Sequence, residues 1–492
     1  MTESLTLRDV RPYDGGAPVD VVVRDGLIAD IAPAGSAGSA GSAGEVIEAG
    51  GRWIGPGFWD AHVHFTQHVI RRRRLDLTET HTADDVLDIV RRARAEGAPL
   101  SDGMLMGYGF RDGLWPVPAS LAALEATVSD IPVVLVSGDL HCGWMNRAAA
   151  ARLGVQLDET GLLREGPWIA LLHDFDEASQ LPADAFADAE AAAAARGVVG
   201  IVEYEKTDNV AEWSERTAGG LQSLRADIAV WPDLLEQVIA DGIRTGDIVD
   251  EAGLITFGRL KVVVDGSLNT RTAWCWDPYP GMDPGHPHAC GLESVPIPEL
   301  RRLLERARGA GIEAAVHAIG DRANTEVLDT FETLDMKGVI EHAQLVRDDD
   351  FARFAALGLI ASVQPEHAMD DRDVADHHWA GRTGRAFAFG SLHRSGAALR
   401  LGSDAPVAPL DPWISLSAAT SRSRGDRDAW HPEQRLPLDV ALAASVRTSL
   451  AVGQPADLVI SDHDPYSADR DVLRGMPVVA TLLGGRFTHR EI

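Results

Sequence analysis

The sequence predicts an α/β fold in which an eight-stranded parallel barrel is covered by helices and accompanied by a smaller β domain. Through the middle of the chain, apolar runs rich in Val, Ile and Leu alternate with alanine-rich helical stretches, as in parallel sheets that are buried on both faces. Short strand-like runs occur at both ends of the chain. The 492 residues are enough for a barrel-sized core and a smaller companion.

Short strands are expected at both ends. Residues 19–23, 27–31 and 46–47 are rich in β-branched residues and are separated by turn residues. The runs 456–464 and 477–489 have the same character. We therefore predict one composite β-sandwich built from residues 1–52 and 453–492. The repeat GSAGSAGSAG at 35–44 has nothing to bury and is expected to be a flexible loop.

The barrel is predicted over residues 53–452. Its strands are expected in the runs 131–139, 197–205, 260–266, 312–321, 338–343, 359–365 and 399–407. A bare barrel needs about 250 residues, so we expect an insertion at about 66–190, where the alternation is least regular. Within it, Thr82-Ala-Asp-Asp85 resembles a capping box at the start of a helix.

The composition limits the partners and the compartment. Lys and Arg number 45 and Asp and Glu 74, which gives a formal charge of −29. A surface this acidic repels nucleic-acid phosphates and anionic membranes, so we expect neither as a partner. Three sparse cysteines, a start without the features of a signal peptide, and no apolar run of membrane-spanning length predict a cytoplasmic protein. A small-molecule substrate is expected, and a homodimer is the general expectation for the oligomeric state.

His62 and His64 are the first candidate metal ligands. They follow the strand-like run RWIGPGFWD and lie two residues apart, so their side chains share one face of a strand. Neutral imidazoles on one face can chelate Zn²⁺ or a related ion. Alone, such a pair is more often a pair of surface or core histidines.

Three later residues change this interpretation. His317, His342 and Asp404 each come at the end of a predicted strand. In parallel barrels, the carboxyl ends of the strands carry the active residues. Four histidines and one aspartate at such ends predict a joint site for one or two divalent ions, with zinc as the expected metal.

Six segments carry a family resemblance. They are PGFWDAHVHF (56–65), DGSLNTRTA (265–273), HAIGDRAN (317–324), IEHAQLV (340–346), SVQPEHA (362–368) and GSDAPV (402–407). Together they resemble the amidohydrolase superfamily, in the branch that includes N-substituted formamide deformylases and the YtcJ-like proteins. The resemblance runs in order over nearly the whole chain. It implies a distorted (β/α)₈ barrel with a composite β-sandwich, in agreement with the predicted elements.

The resemblance implies a role for each ligand. His62 and His64 would bind the more buried ion with Asp404, whereas His317 and His342 would bind a second ion or help to hold a single one. Lys261, in RLKVVVDGS, aligns with a lysine that related enzymes carry as a carbamate bridging two ions. A buried lysine loses its charge easily, and CO₂ turns the amine into an anionic two-oxygen ligand. The alternative is an unmodified buried lysine paired with Asp265.

The run GIVEYEKTD, taken as the third barrel strand, departs from the family pattern. It carries Glu203, Glu205 and Lys206 where relatives commonly have a small polar pair. Other branches of the superfamily use a glutamate from this strand as the bridging ligand. Glu203 or Glu205 is therefore an alternative bridging group to Lys261, and a structural ion pair is a further interpretation.

The predicted function is hydrolysis of a C–N bond, amide or formamide-like, in a small molecule by metal-activated hydroxide. Asp404 is the predicted general base, His141 a predicted substrate contact, and Arg271 either a ligand for a substrate carboxylate or an ion-pair partner. A deaminase and an ester or lactone hydrolase would use the same ligands, because a fold does not fix its substrate. A catalytically silent metal-binding barrel is the alternative from another class, and the complete ligand set argues against it.

Overall fold

The computed structural model describes residues 4–36, 44–98, 100–101, 103–110, 112, 115–138, 142–164, 168, 171, 181 and 183–492. The chain divides into two compact units, residues 1–65 with 190–492, and residues 66–189. The predicted substrate contact His141 and residues 37–43 of the small-residue repeat lie outside the described residues. None of the helices in the described ranges is long and apolar enough to cross a bilayer.

The strands of the described chain are short, as expected for a barrel and small sheets. In chain order they are β1 (Ser4–Pro12), β2 (Val19–Arg24), β3 (Leu27–Pro33), β4 (Glu45–Glu48), β5 (Trp53–Pro56), β6 (Phe58–Val63), β7 (Leu75–Asp76), β8 (Leu105–Phe110), β9 (Val133–Ser137), β10 (Cys142–Met145), β11 (Leu162–Arg164), β12 (Val198–Glu203), β13 (Arg225–Val230), β14 (Ile255–Val263), β15 (Ala314–Ala318), β16 (Gly338–His342), β17 (Ile360–Val363), β18 (Ala398–Leu401), β19 (Leu458–Ser461), β20 (Val478–Leu483) and β21 (Arg486–Arg490).

The α-helices of the same residues separate most of the barrel strands. They are α1 (Phe65–Arg72), α2 (Ala83–Glu96), α3 (Leu121–Thr127), α4 (Arg147–Leu153), α5 (Ala183–Ala194), α6 (Asn209–Ala218), α7 (Leu235–Ala240), α8 (Ile297–Gly309), α9 (Asp321–Leu334), α10 (Phe351–Leu357), α11 (Pro365–Asp370), α12 (Arg372–His378), α13 (Phe389–Arg394), α14 (Pro412–Ser421), α15 (Leu438–Ala444) and α16 (Arg470–Arg474). Short 3₁₀ turns occur at Thr383–Arg385 and Pro432–Gln434.

Eight parallel strands form the predicted barrel. Their order in the sheet follows the chain: β6, β12, β13, β14, β15, β16, β17 and β18. The first and last strands meet where the Asp404 amide donates to the His62 carbonyl and the His64 amide to the Ala405 carbonyl, both at 2.8 Å. A Cβ atom at Gly402 would lie 2.7 Å from the His62 amide nitrogen, so this close approach requires glycine. The predicted fold class is thereby confirmed.

Both chain termini contribute to a second sheet. Its order is β21-β20-β19-β5-β1-β2-β3, with β4 beside β1. The sheet buries aliphatic side chains from both ends of the chain, among them Leu7, Val21, Ile54, Leu458 and Leu482. β1, which the sequence did not predict, pairs with β2, β4 and β5 and so joins the two halves of the sheet.

Residues 66–189 carry a five-stranded sheet of their own, in the order β11-β10-β9-β8-β7. At the start of α2, Thr82 Oγ1 accepts from the Asp85 amide at 3.1 Å, and Asp85 Oδ2 accepts from the Thr82 amide at 2.9 Å. The predicted capping box is thus confirmed. Buried Asn146 caps α4 and accepts from the amides of Val133 and Ala149, each at 3.0 Å.

The structure corrects two predicted barrel strands. The predicted strand at 131–139 corresponds to β9, which lies in the five-stranded sheet and not in the barrel. The third barrel strand is β13, which the sequence did not predict, so Glu203 lies on the second strand. A short buried run has no periodicity that shows which sheet it joins, and this caused the error at β9. β13 was overlooked because it is short and follows a polar stretch.

Candidate metal centre

The candidate site lies at the carboxyl ends of the barrel strands. His62 lies in β6, His317 lies in β15, and His342 is the last residue of β16. His64 follows β6, and Asp404 follows β18. Lys261 is in β14, with its side chain buried. The backbone φ is 74° at His342 and 58° at Asp404, in the left-handed region that non-glycine residues rarely adopt. Such strain is held by the surrounding structure and is common at functional sites.

Asp404 is the centre of the cluster. Its Oδ1 lies 3.5 Å from Nε2 of His62 and 3.5 Å from Nε2 of His64. Its Oδ2 lies 3.9 Å from Nε2 of His367. The structure therefore contains two candidate metal-binding groups that share Asp404, one with His62 and His64 and the other with His342 and His367; within each, the ligand atoms lie within 4.8 Å of one another.

Asp60 ties together the two chain segments that carry this cluster. Its carboxylate accepts from the His62 amide at 3.0 Å and from the Ser403 amide at 2.9 and 3.1 Å. Burial raises the pKa of Asp60 to about 7, against these hydrogen bonds, which lower it. The residue thus fixes the backbone positions from which His62 and Asp404 project.

The ring nitrogens that face away from Asp404 have partners. His62 Nδ1 donates to Glu341 Oε2 at 2.6 Å, and His342 Nδ1 donates to Gln364 Oε1 at 2.9 Å. These acceptors select the tautomer in which Nε2 keeps its lone pair. Metal-bound histidines are oriented in the same way by acceptors on the opposite nitrogen.

Lys261 lies in the same buried region without a hydrogen-bond partner among the described residues. Its Nζ is 4.1 Å from the centroid of the Tyr204 ring, and the Tyr204 hydroxyl donates to Glu341 Oε1 at 2.8 Å. Burial lowers the pKa of Lys261 to about 8, while the charges of Glu341 and Asp404 oppose this shift. Asp265, the alternative partner predicted for Lys261, instead accepts from the amides of Trp274, Ile319 and Gly320 at 2.8–2.9 Å.

Burial favours the neutral form of four imidazoles in this region by lowering their pKa, those of His62, His64, His317 and His342. Burial, together with the charge of Lys261, lowers the pKa of His64 and of His317 to about 3. Burial lowers the pKa of His62 and His342 well below the usual range. Burial raises the pKa of Asp404 to about 6, although His367 and Lys261 favour its charged form. Neutral imidazoles beside a carboxylate are competent metal ligands.

The structure does not gather every predicted residue into these two groups. His317 Nε2 lies 3.5 Å from Asp265 Oδ1, and the His317 ring is 4.4 Å from the His342 ring between centroids, but neither His317 nor Lys261 belongs to the two groups. Arg271 is exposed and forms no ion pair with the described residues. Its expected ion pair is therefore not observed there.

Glu203, the alternative bridging group, accepts hydrogen bonds from two backbone amides. Its Oε1 accepts from the Phe65 amide at 3.1 Å and from the Glu205 amide at 2.8 Å. It is absent from both candidate groups, as is Glu205. Burial, followed by the charge of Glu205, raises the pKa of Glu203 to about 8.

Two residues of the cluster were not predicted from the sequence. His367 lies on α11 just after the seventh barrel strand, and Glu341 precedes His342 in β16. Both stand inside the segments SVQPEHA and IEHAQLV that carried the resemblance. Their signal was the position at a strand's carboxyl end, which for His367 is displaced onto the following helix.

The donor set fits a divalent ion. Nε2 of His367 is buried and has no hydrogen-bond partner in the described part of the chain. His62 and His342 keep an Nε2 lone pair because their Nδ1 atoms are already bonded. Four imidazoles around the Asp404 carboxylate, three buried and that of His64 half-buried, match the ligands that zinc and related ions take in proteins.

A family model described as "Amidohydrolase family" matches residues 45–489, which is most of the chain. The chain belongs to the amidohydrolase family. The resemblance predicted from the six segments is therefore confirmed, and membership of this family supports hydrolase activity.

Curated relatives resemble this amidohydrolase over nearly its whole length. It is 28% identical to Protein LONG AFTER FAR-RED 3 of Arabidopsis thaliana, over 89% of this chain and 82% of the relative. It is 26% identical to the putative amidohydrolase YtcJ of Bacillus subtilis, over 91% of each chain. It is 24% identical to the N-substituted formamide deformylase of Arthrobacter pascens, over 90% and 89%.

A solved structure shares the fold. An uncharacterized metal-dependent hydrolase from Pyrococcus horikoshii superposes with a TM-score of 0.77 at 24% identity, over 95% of this amidohydrolase and 99% of that chain.

Proposed function

We propose that this amidohydrolase cleaves the C–N bond of a small amide or formamide, with a divalent metal held at the barrel mouth and Asp404 as general base. The observation that carries the proposal is the position of Asp404, whose carboxylate lies 3.5 Å from the imidazoles of buried His62 and half-buried His64 and 3.9 Å from that of buried His367. The similarity to an N-substituted formamide deformylase supports the choice of bond.

The ligands would divide into two sets around the shared carboxylate. His62 and His64 would hold one ion with Asp404, and His342 and His367 would hold a second, with His317 beside His342. Zinc is the metal we propose. When bound, such an ion lowers the pKa of a water molecule and polarises the substrate carbonyl.

Asp404 carries the proton from the attacking water to the leaving nitrogen. Asp404 accepts the proton of the attacking water as the new C–O bond forms, and returns it to the nitrogen as the C–N bond breaks. Amide and water thereby become an acid and an amine, with no proton left over. Glu341 holds His62 in place through its 2.6 Å hydrogen bond throughout this exchange. The raised pKa of Asp404, about 6, suits a group that must both take and release a proton near neutral pH.

Lys261 is our proposed site of carbamylation. Its amine is buried, has no hydrogen-bond partner in the described chain, and has a pKa lowered to about 8, so a part of it is unprotonated and able to add CO₂. The product would be an anionic two-oxygen ligand in the same buried region. The backbone hydrogen bonds of Glu203 make it the weaker candidate for this role.

A substrate panel tests the reaction. Zinc-loaded protein is incubated with N-substituted formamides, cyclic amidines, and esters or lactones, and the release of amine, ammonia and acid is measured separately. We expect amine and formate from the formamides, with turnover of the same compounds by D404N lowered by about 10²–10⁴-fold. Release of ammonia alone would indicate a deaminase, and turnover of esters or lactones alone would indicate a different hydrolase; either result contradicts the proposed bond.

A further inference from the structure

Two loops and the start of a helix lie on the same barrel face as the candidate metal centre. The loop after β14 carries Trp274 and Trp276, α9 begins just after β15 with Arg322 in its first turn, and the loop after β16 carries Arg347. These are the strands that carry Lys261, His317 and His342. Because the carboxyl ends of parallel barrel strands lie on one face, all four side chains belong to the rim of the same face.

The loop and the helix are joined to the metal centre by backbone contacts. The Asp265 carboxylate binds the amides of Trp274 and Gly320, each at 2.8 Å, and lies 3.5 Å from His317. The Trp274 carbonyl in turn accepts from the amide of Arg322 at 3.1 Å. The position of Arg322 is thus fixed relative to His317.

Arg322 contacts two indole rings. Its Cζ lies 4.4 Å from the ring centroid of Trp274 and 4.8 Å from that of Trp276, and Arg347 Cζ lies 6.0 Å from the Trp276 ring. Stacking uses the faces of the guanidinium, whereas its N–H donors lie in its plane. Contacts with the indole rings therefore leave in-plane donors of Arg322 available to a ligand. Trp276 is 41% exposed and the Arg322 side chain 37%, so the edge of the group is accessible.

The positive charge of this patch is poorly compensated. The nearest carboxylate to Arg322 in the described chain is Glu326, at 3.9 Å, and the buried Nε of Arg322 has no hydrogen-bond partner there. Arg347 forms no ion pair with the described residues. Nearby Asp321 is already bound by Arg385 at 2.8 Å.

We propose that Arg322, which contacts the rings of Trp274 and Trp276 and is assisted by Arg347, binds a carboxylate of the substrate at the rim of the catalytic face. The proposal rests on the proposed function and assigns its substrate class: amides or formamides that carry a carboxylate next to an apolar group. The planar guanidinium edge supplies paired donors for the carboxylate, and the exposed indole of Trp276 supplies a surface for the apolar part.

Two matched compounds test this specificity. N-formyl-L-phenylalanine and N-(2-phenylethyl)formamide differ only in the carboxylate, and kcat/KM is measured for both with zinc-loaded protein. We expect the wild type to favour the acid by at least about tenfold, the range of a charge-assisted pair. R322Q should abolish this preference, and R322K should lose most of it because lysine has no planar fork. R308Q is the matched control, since Arg308 is an exposed arginine in the last turn of α8, and its preference should equal that of the wild type.

A binding measurement keeps the result independent of turnover. The affinity for phenylacetate, compared with neutral phenylacetamide, is measured by calorimetry on zinc-loaded wild type, R322Q, R308Q and W276L. We expect R322Q to weaken phenylacetate binding at least about tenfold, and R308Q to leave it unchanged. Equal preference and affinity in R322Q and wild type would overturn the proposal. If no formamide is hydrolysed but phenylacetate binds through Arg322, the anion subsite stands and the proposed reaction is contradicted.

Discussion

The two ends of the barrel interior satisfy their charges in different ways. At the amino-terminal end, Arg259 donates to Glu313 at 3.0 Å, and Asp227 accepts from Arg447 at 3.0 Å. At the carboxyl-terminal end, two residues further along β14, Lys261 has no hydrogen-bond partner among the described residues, and neither has Nε2 of His367. Alternation along a strand places Arg259 and Lys261 on the same face, so the contrast lies within one interior.

The comparison distinguishes charged groups that stabilise the fold from buried polar groups that are available to a ligand. Buried groups that find partners inside the protein need nothing else, whereas buried polar atoms without partners carry a free-energy cost that a ligand can remove. The paired end corresponds to the barrel face that usually serves stability, and the unpaired end to the face that usually serves catalysis. Variants at the two ends should therefore fail in different ways.

The largest effect is expected for D404N. The amide keeps an oxygen ligand but cannot accept the proton, so turnover of a formamide should fall by about 10²–10⁴-fold with metal retained. Rate assays and elemental analysis on the same preparation measure both quantities. Turnover close to that of wild type would show that Asp404 is not the base.

A smaller effect at the same end is expected for E341Q. The variant replaces the carboxylate that binds His62 Nδ1 at 2.6 Å, so zinc affinity should weaken by about 10–100-fold. Competition with a chromophoric chelator measures the affinity. The result would count against the proposed site if E341Q bound zinc as tightly as the wild type.

At the paired end, D227N should reduce stability and leave the metal unaffected. It removes the partner of Arg447 from a partly buried pair, so the free energy of unfolding should fall by about 1–3 kcal/mol. Thermal denaturation and metal content are compared with wild type. Loss of metal in this variant would contradict the assignment of the amino-terminal end to stability alone.

The last effect, expected for E203Q, concerns stability alone and depends on pH. Burial raises the pKa of Glu203 from 4.5 to about 8, so the folded wild type binds a proton that the unfolded chain has released. The contribution of this group to stability is complete below about pH 4.5 and is lost as the pH rises towards 8. The melting temperature of E203Q minus that of wild type should therefore grow between pH 5 and pH 8, with zinc content unchanged. Loss of zinc in E203Q would instead support Glu203 as the bridging ligand.

The sequence was most informative where local pattern and position in the fold coincide. Histidines at the ends of apolar strands predicted a cluster around Asp404, because the carboxyl ends of barrel strands meet. His367 was missed because it lies on a helix after its strand, where no strand pattern marks it. Glu341 was missed because its partner His62 lies on another strand, far away in the sequence, and no local pattern links the two residues.

Strand membership was harder to predict than strand existence. β9 is as apolar as the barrel strands, and nothing in its five residues shows that it joins another sheet. β13 is short and follows a polar stretch, so it was overlooked. The contacts of Arg322 with two indoles could not be predicted, since they depend on how loops from neighbouring strands meet.

A zinc-edge anomalous difference map from crystals grown with zinc and bicarbonate tests the central claim most directly. We expect anomalous peaks at the Asp404 carboxylate, one contacting His62 and His64 and a second on the side of His342 and His367, with extended density at Lys261 Nζ. A map without a peak at Asp404, from protein that still hydrolyses a formamide, would contradict the assignment of this cluster as the metal centre.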